Sequence, residues 1–299
     1  MPTIGIALAI YAGFFTLTWF FDRLPLVLAA PLGALVLAWY GSLQHETIHG
    51  HPTSSRRINS VLASPPLALW LPYPVYREIH LLHHRHRGRY LTVPIMDTES
   101  YYRQPGTLSR VGRFRRALYR ANCTLLGRLL LGPALAIHGV WAAQLSKLKS
   151  APRRTMQVLL GHLLGVSVVL AWIVGVCRVP LIVYVSLVVY PAISLVKLRS
   201  FIEHRAADDP DCRTVVVEAA PFWGLLFLNN NLHIAHHARP TLPWYRLPRA
   251  WREMRASVIE SCGSEAKLVW QGGYLELFRT YLLRPALSVE HPLKDTPGP

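Results

Sequence analysis

Acidic residues are scarce in this 299-residue chain: 16 Asp and Glu stand against 32 Lys and Arg, giving a formal net charge of +16. Charge of either sign is thin, at 16% of residues, while hydrophobic residues reach 52% and mean hydropathy is +0.25. That balance favours a membrane class over a soluble one. Cysteine is sparse too. Cys123, Cys177, Cys212 and Cys262 lie far apart with no C-x-x-C pair. The spacing argues against a disulfide framework or a zinc ribbon and suits unpaired thiols facing the cytoplasm.

A basic balance fits either nucleic acid or anionic lipid, and the placement of the charge separates them. Of the 32 Lys and Arg, 17 fall within residues 44–154 and 13 from residue 197 onward, leaving only Arg23 and Arg178. Both blocks lie between or after apolar runs, the pattern of positive-inside topology. No basic stripe on a recognisable module appears, so a nucleic-acid partner is not expected.

Residues 3–21 are almost unbroken apolar sequence, close to the ~20 residues a helix needs to cross a bilayer. Met1 and Pro2 carry no charge ahead of it, and the run is long for a signal peptide, so it reads as a retained span. After the polar break at Asp22 and Arg23, residues 24–43 return through the membrane, with Pro31 and Gly33 tolerated inside. Residues 156–176 and 181–198 form a second hairpin. Residues 61–71, bracketed by Pro65, Pro66 and Pro72, are too short to span and read as buried, re-entrant or interfacial. Residues 125–145 are interrupted by Arg128, Pro133, His138 and Gln144 and read as a helix lying in the interface. The arginine-rich stretch 103–120, with Tyr101, Tyr102, Phe114 and Tyr119 nearby, suits the headgroup level. The expected fold is an all-α integral membrane protein, one domain over residues 1–299. It has four transmembrane helices (3–21, 24–43, 156–176, 181–198) in two hairpins, interfacial helices and a cytoplasmic histidine-rich cap.

Histidine is the residue this chain uses with a pattern. His45 and His49, in HETIH, are four apart and share one helical face. His80, His83 and His84 repeat as H-x-x-H-H, and so do His233, His236 and His237, with His204 alone between them. Imidazole suits zinc, iron, copper or nickel. Nine candidates exceed what one ion takes but fit two ions with positions left open. By itself HETIH would also suit a zinc metalloprotease with Glu46 as base, a reading weakened by the seven further histidines. Glu46, Glu203, Asp208 and Asp209 could orient imidazoles or be ordinary surface carboxylates. Asn229, Asn230 and Asn231 read first as helix-start residues. His51 and His86 fall off the shared faces, and His138 and His162, within apolar runs, read as packing residues.

The series HETIH, HLLHH, a lone EH and HIAHH, over roughly residues 30–240, resembles the membrane fatty-acid desaturase and hydroxylase superfamily, in which such boxes hold a non-haem di-iron centre. The resemblance implies that His45, His49, His80, His83, His84, His204, His233, His236 and His237 ligate two iron ions, with O2 as co-substrate. It further implies desaturation of an unactivated C–H bond in a lipid or fatty-acyl substrate, with lipid, alkane or other apolar hydroxylation as the alternative outcome and a membrane zinc hydrolase as a more distant one. Electrons would come from a separate ferredoxin-, rubredoxin- or cytochrome-type protein. The active site would face the cytoplasm, at the level of membrane lipid.

Overall fold

The computed structural model describes residues 2–262 and 267–292, without the side chains of His86 and Arg87; the expectation for His86 lies outside that description. The described chain is mostly helical. In order it runs α1 (Pro2–Trp19), α2 (Leu26–Ile48), α3 (Arg56–Ala63), α4 (Tyr73–His83), α5 (Thr107–Arg110), α6 (Arg113–Asn122), α7 (Leu125–Ser150), α8 (Pro152–Leu170), α9 (Leu181–Val183), α10 (Tyr190–Arg199), α11 (Pro221–Leu226), α12 (His233–Ala238), α13 (Leu247–Cys262) and α14 (Gly273–Tyr281). Two short strands, β1 (Val216–Val217) and β2 (Val269–Trp270), pair in parallel. The packing divides into two compact units, residues 1–78 with 133–196, and residues 79–132 with 197–299.

The first unit is built from helices apolar on every side. Ala7, Ile10 and Phe14 of α1 are buried with Ala30, Leu37 and Ile173, while Leu8, Val27, Leu164 and Ile182 stay exposed. Apolar surface on both the packed and the outward side is the signature of helices solvated by lipid. Among the described residues, five helical stretches are long and apolar enough to cross a membrane: Pro2–Trp19, Leu26–Ile48, Leu125–Ser150, Pro152–Val176 and Leu181–Arg199. The fifth beyond the expected four is α7, whose 26 residues run as one helix through Pro133. Polar interruptions do not end it, because Arg128 and Gln144 are buried within protein.

Residues 64–72, after α3, are irregular, and irregular backbone packed among apolar helices must find hydrogen bonds inside the protein. Here side chains provide them. Tyr40 donates to the Ala63 and Pro65 carbonyls at 2.8 and 2.6 Å, Tyr184 to Leu67 at 2.6 Å, and Trp141 to Trp70 at 3.0 Å. His162 Nε2 lies 2.9 Å from the Leu69 carbonyl, which gives it the packing role its sequence context indicated. Gly165 lets α8 approach: a Cβ there would sit 2.9 Å from Pro66 Cδ. Two stretches of π-helix, Ala171–Val176 and Tyr184–Val189, interrupt the second hairpin.

The second unit carries the loops. Strand β1 follows a turn at residues 209–213 and pairs with β2, with Val216 opposite Val269. Cys212, in that turn, and Cys262, at the end of α13, close a disulfide. This corrects the expectation of four unpaired thiols: Cys123 and Cys177 are free, but wide sequence spacing does not prevent pairing when the fold closes the gap.

Candidate metal centre

The histidine spacing acts as the helical periodicity dictates. Within the first unit, His45 and His49 stand one turn apart at the end of α2, ring centroids 4.9 Å apart, with His45 and Glu46 buried. In the second unit, the end of α4 presents His80 and His83 with His84 following, α12 presents His233, His236 and His237, and His204 sits on a turn paired with Thr214.

Seven of the nine candidate ligands thus lie in the second unit, where they sort into two groups. His83, His204, His233 and His237 bring one nitrogen each within 4.8 Å of the others. His204 Nε2 is 3.0 Å from both His83 Nε2 and His233 Nε2, and His237 Nε2 is 3.1 Å from His233 Nε2. His80, His84 and His236 form the other group, with His84 Nε2 and His236 Nε2 3.2 Å apart.

The outward nitrogens show what the inward ones are. His83 Nδ1 is 2.7 Å from Asp97 Oδ1, and His80 Nδ1 is 2.9 Å from Glu99 Oε1. His233 Nδ1 faces the carbonyl and the side-chain oxygen of Asn230 at 3.2 and 3.1 Å. These oxygens can only accept from the imidazoles, so Nδ1 carries a proton in these three rings, and in the neutral form of each Nε2 presents a lone pair. Four imidazole nitrogens within 4.8 Å of one another, with His83 and His233 held from behind by Asp97 and Asn230, are a donor set that fits a metal ion.

The electrostatics set His83 apart from the three rings around it. Burial drives the pKa of His204 down, with His83 adding to the effect, to about 3; His233 and His237 are lowered well below the ordinary range, first by burial and then by neighbouring histidines. Burial acts downward on His83 too, but the Glu99 and Asp97 carboxylates outweigh it and lift this one ring to about 9. Neutral rings are the form that binds metal, and the surrounding carboxylates balance the charge of a cation held there.

Two of these anchors were missed in the sequence. Asp97 and Glu99 sit in an irregular segment 14 and 19 residues beyond their histidines, where no periodicity marks them. The asparagines are corrected as well: α12 is preceded by Leu232, with no side-chain cap, and Asn230 holds His233 instead. Asn231 donates to the Val217 carbonyl and Asn229 to that of Trp244. Among the four sequence-selected carboxylates, Glu203 is buried, 2.8 Å from Arg199 and 3.6 Å from His233 Nδ1, whereas Asp209 accepts from Asp211 within its own turn.

Apolar helices of this length and convergent imidazoles define an integral membrane protein whose histidine clusters could bind metal. A family model for fatty acid desaturases matches residues 22–265, and the chain belongs to that family, which makes it an oxidoreductase. No curated protein gives a significant match.

Proposed function

We propose that the protein desaturates a fatty-acyl or other lipid substrate, using two non-haem irons and O2. The observation that supports this most is the four-imidazole group with carboxylate-anchored outward nitrogens, in a chain of the fatty acid desaturase family. His83, His204, His233 and His237 would hold one ion. His80, His84 and His236 contribute to the other, with His45 and His49 proposed as the remaining ligands by resemblance to the family. When bound, iron supplies the redox chemistry for activating O2 and removing hydrogen from an unactivated C–H bond. The chain's own part is positional. Asp97, Glu99 and Asn230 fix ring orientation and tautomer, and the apolar helices provide the medium a lipid chain enters. The reaction balances as loss of two hydrogens from the substrate, with O2 reduced to two waters by those two hydrogens, two electrons and two further protons. The electrons come from a separate one-electron carrier protein, which an arginine-rich surface would attract if it is acidic.

The first hairpin ends, and the second both starts and ends, beside Lys/Arg-rich sequence, so we place the histidines on the cytoplasmic side with α7 in the interface. The Cys212–Cys262 bridge favours the opposite side, since disulfides persist in oxidising compartments. Membrane-impermeant labelling of single cysteines at residues 22 and 178 decides: labelling from outside supports the cytoplasmic assignment.

The test of the reaction is purified protein given O2, reductant and lipid, with products read by mass spectrometry. Loss of two hydrogens is expected. A gain of one oxygen would reassign the chain as a hydroxylase, and turnover without O2 in a zinc-loaded protein would make it a hydrolase.

A further inference from the structure

Arg213 lies outside the histidine clusters, yet two histidine-bearing segments are tied together at its guanidinium. Its residue is 7% exposed, and its Nε donates to the Ala207 carbonyl at 2.7 Å. Nη1 donates to the carbonyls of Arg89 and Leu91 at 2.9 and 3.3 Å, and Nη2 to that of Asp208 at 3.4 Å. All four acceptors are main-chain oxygens. A guanidinium withdrawn from water and spread over backbone carbonyls of two loops acts as a clamp on their conformation.

Each side of the clamp leads to a histidine. On one side, Leu91 precedes Thr92, which is held at a φ of 70° with its N–H donated to Asp97 Oδ2 at 2.8 Å. The other oxygen of Asp97 takes His83 Nδ1. On the other side, the Arg213 carbonyl accepts from the Arg205 N–H, and Val215 donates to the Glu203 carbonyl, both at 2.9 Å. Those bonds set His204 opposite Thr214. His83 and His204 are the two rings whose Nε2 atoms then meet at 3.0 Å.

We propose that Arg213 is a positioning residue that sets His83 against His204, through the 89–97 loop on one side and the His204 turn on the other. The planar fork with five donors explains why arginine serves here: the ammonium of lysine keeps the charge but cannot grasp carbonyls on two loops in fixed directions. Its consequence for metal binding rests on the function proposed above; its effect on loop order does not.

The test compares wild type with Arg213→Lys and Arg213→Gln, using Co2+ titration followed by visible absorption and hydrogen exchange read by mass spectrometry on metal-free protein. In both variants Co2+ affinity should fall by about 10–100-fold, as when an outer partner of a metal ligand is lost, with an altered absorption band. Exchange should rise in peptides covering 89–99 and 203–207 and stay unchanged in those covering the spans. Wild-type affinity, spectrum and exchange in the lysine variant would overturn the proposal. So would loss of protection throughout the second unit, which would mark Arg213 as a general stabiliser. A wild-type protein that binds no Co2+ would defeat the metal reading instead, while the exchange comparison would still decide the role of Arg213.

Discussion

The two units put their buried polar side chains to different uses. In the first, Tyr40, Tyr184, Trp141 and His162 are directed at backbone carbonyls of residues 63–70, completing hydrogen bonds that an irregular segment among apolar helices would otherwise lack. In the second, Asp97, Glu99 and Asn230 are directed at imidazoles, turning the Nε2 atoms of those rings inward. One unit spends polarity on its own fold. The other uses it to aim ring nitrogens at one another, the arrangement that holding a cation needs. The contrast predicts that replacing the carbonyl-directed side chains of the first unit changes stability and replacing the imidazole-directed ones of the second changes metal binding, with little crossover.

The largest expected effect is at the four-histidine group. His204→Ala should abolish turnover and weaken metal binding, while membrane insertion, followed by fractionation, stays intact; retained activity would remove this residue from the site. Asp97→Asn keeps the shape but takes the carboxylate from His83, and should lower metal affinity by about 10–100-fold, read by titration. Tyr40→Phe leaves two carbonyls, Ala63 and Pro65, without their hydroxyl donor. It should cost roughly 1–3 kcal/mol in denaturant or thermal unfolding with metal content unchanged. A loss of metal with no loss of stability would erase the contrast between the units.

The smallest effect belongs to a pair that contacts no histidine in the hydrogen bonds it makes. Burial raises the Glu218 carboxyl, but hydrogen bonds from Arg255 and Trp251 outweigh it and hold the group below its ordinary range. A depressed carboxylate adds stability at neutral pH that is lost as pH falls through the carboxylate range. Arg255→Ala should therefore flatten the acid side of the melting curve slightly, with a shift of about one or two degrees at neutral pH, since the pair is partly solvated.

How much of this was legible in sequence depends on whether periodicity carried it. Spacings of three and four residues on helices announce the histidines of the second unit, and seven candidate ligands gather there. Long apolar runs announce the spans, since hydropathy reports burial in lipid and protein alike. The same ambiguity bears on α7, read as a helix but an interfacial one because Arg128 and Gln144, both buried, look in sequence like interruptions of a span. Asp97, Glu99 and Asn230 were illegible as imidazole anchors because loop contacts obey no period. Cys212 and Cys262, 50 residues apart, pair with no local pattern to announce it.

Elemental analysis of the purified holoprotein reaches the central claim most directly. Iron at about two ions per chain, falling in His204→Ala, is the expected result for a histidine-ligated pair of sites. Zinc in place of iron, or iron content indifferent to loss of His204, would contradict it.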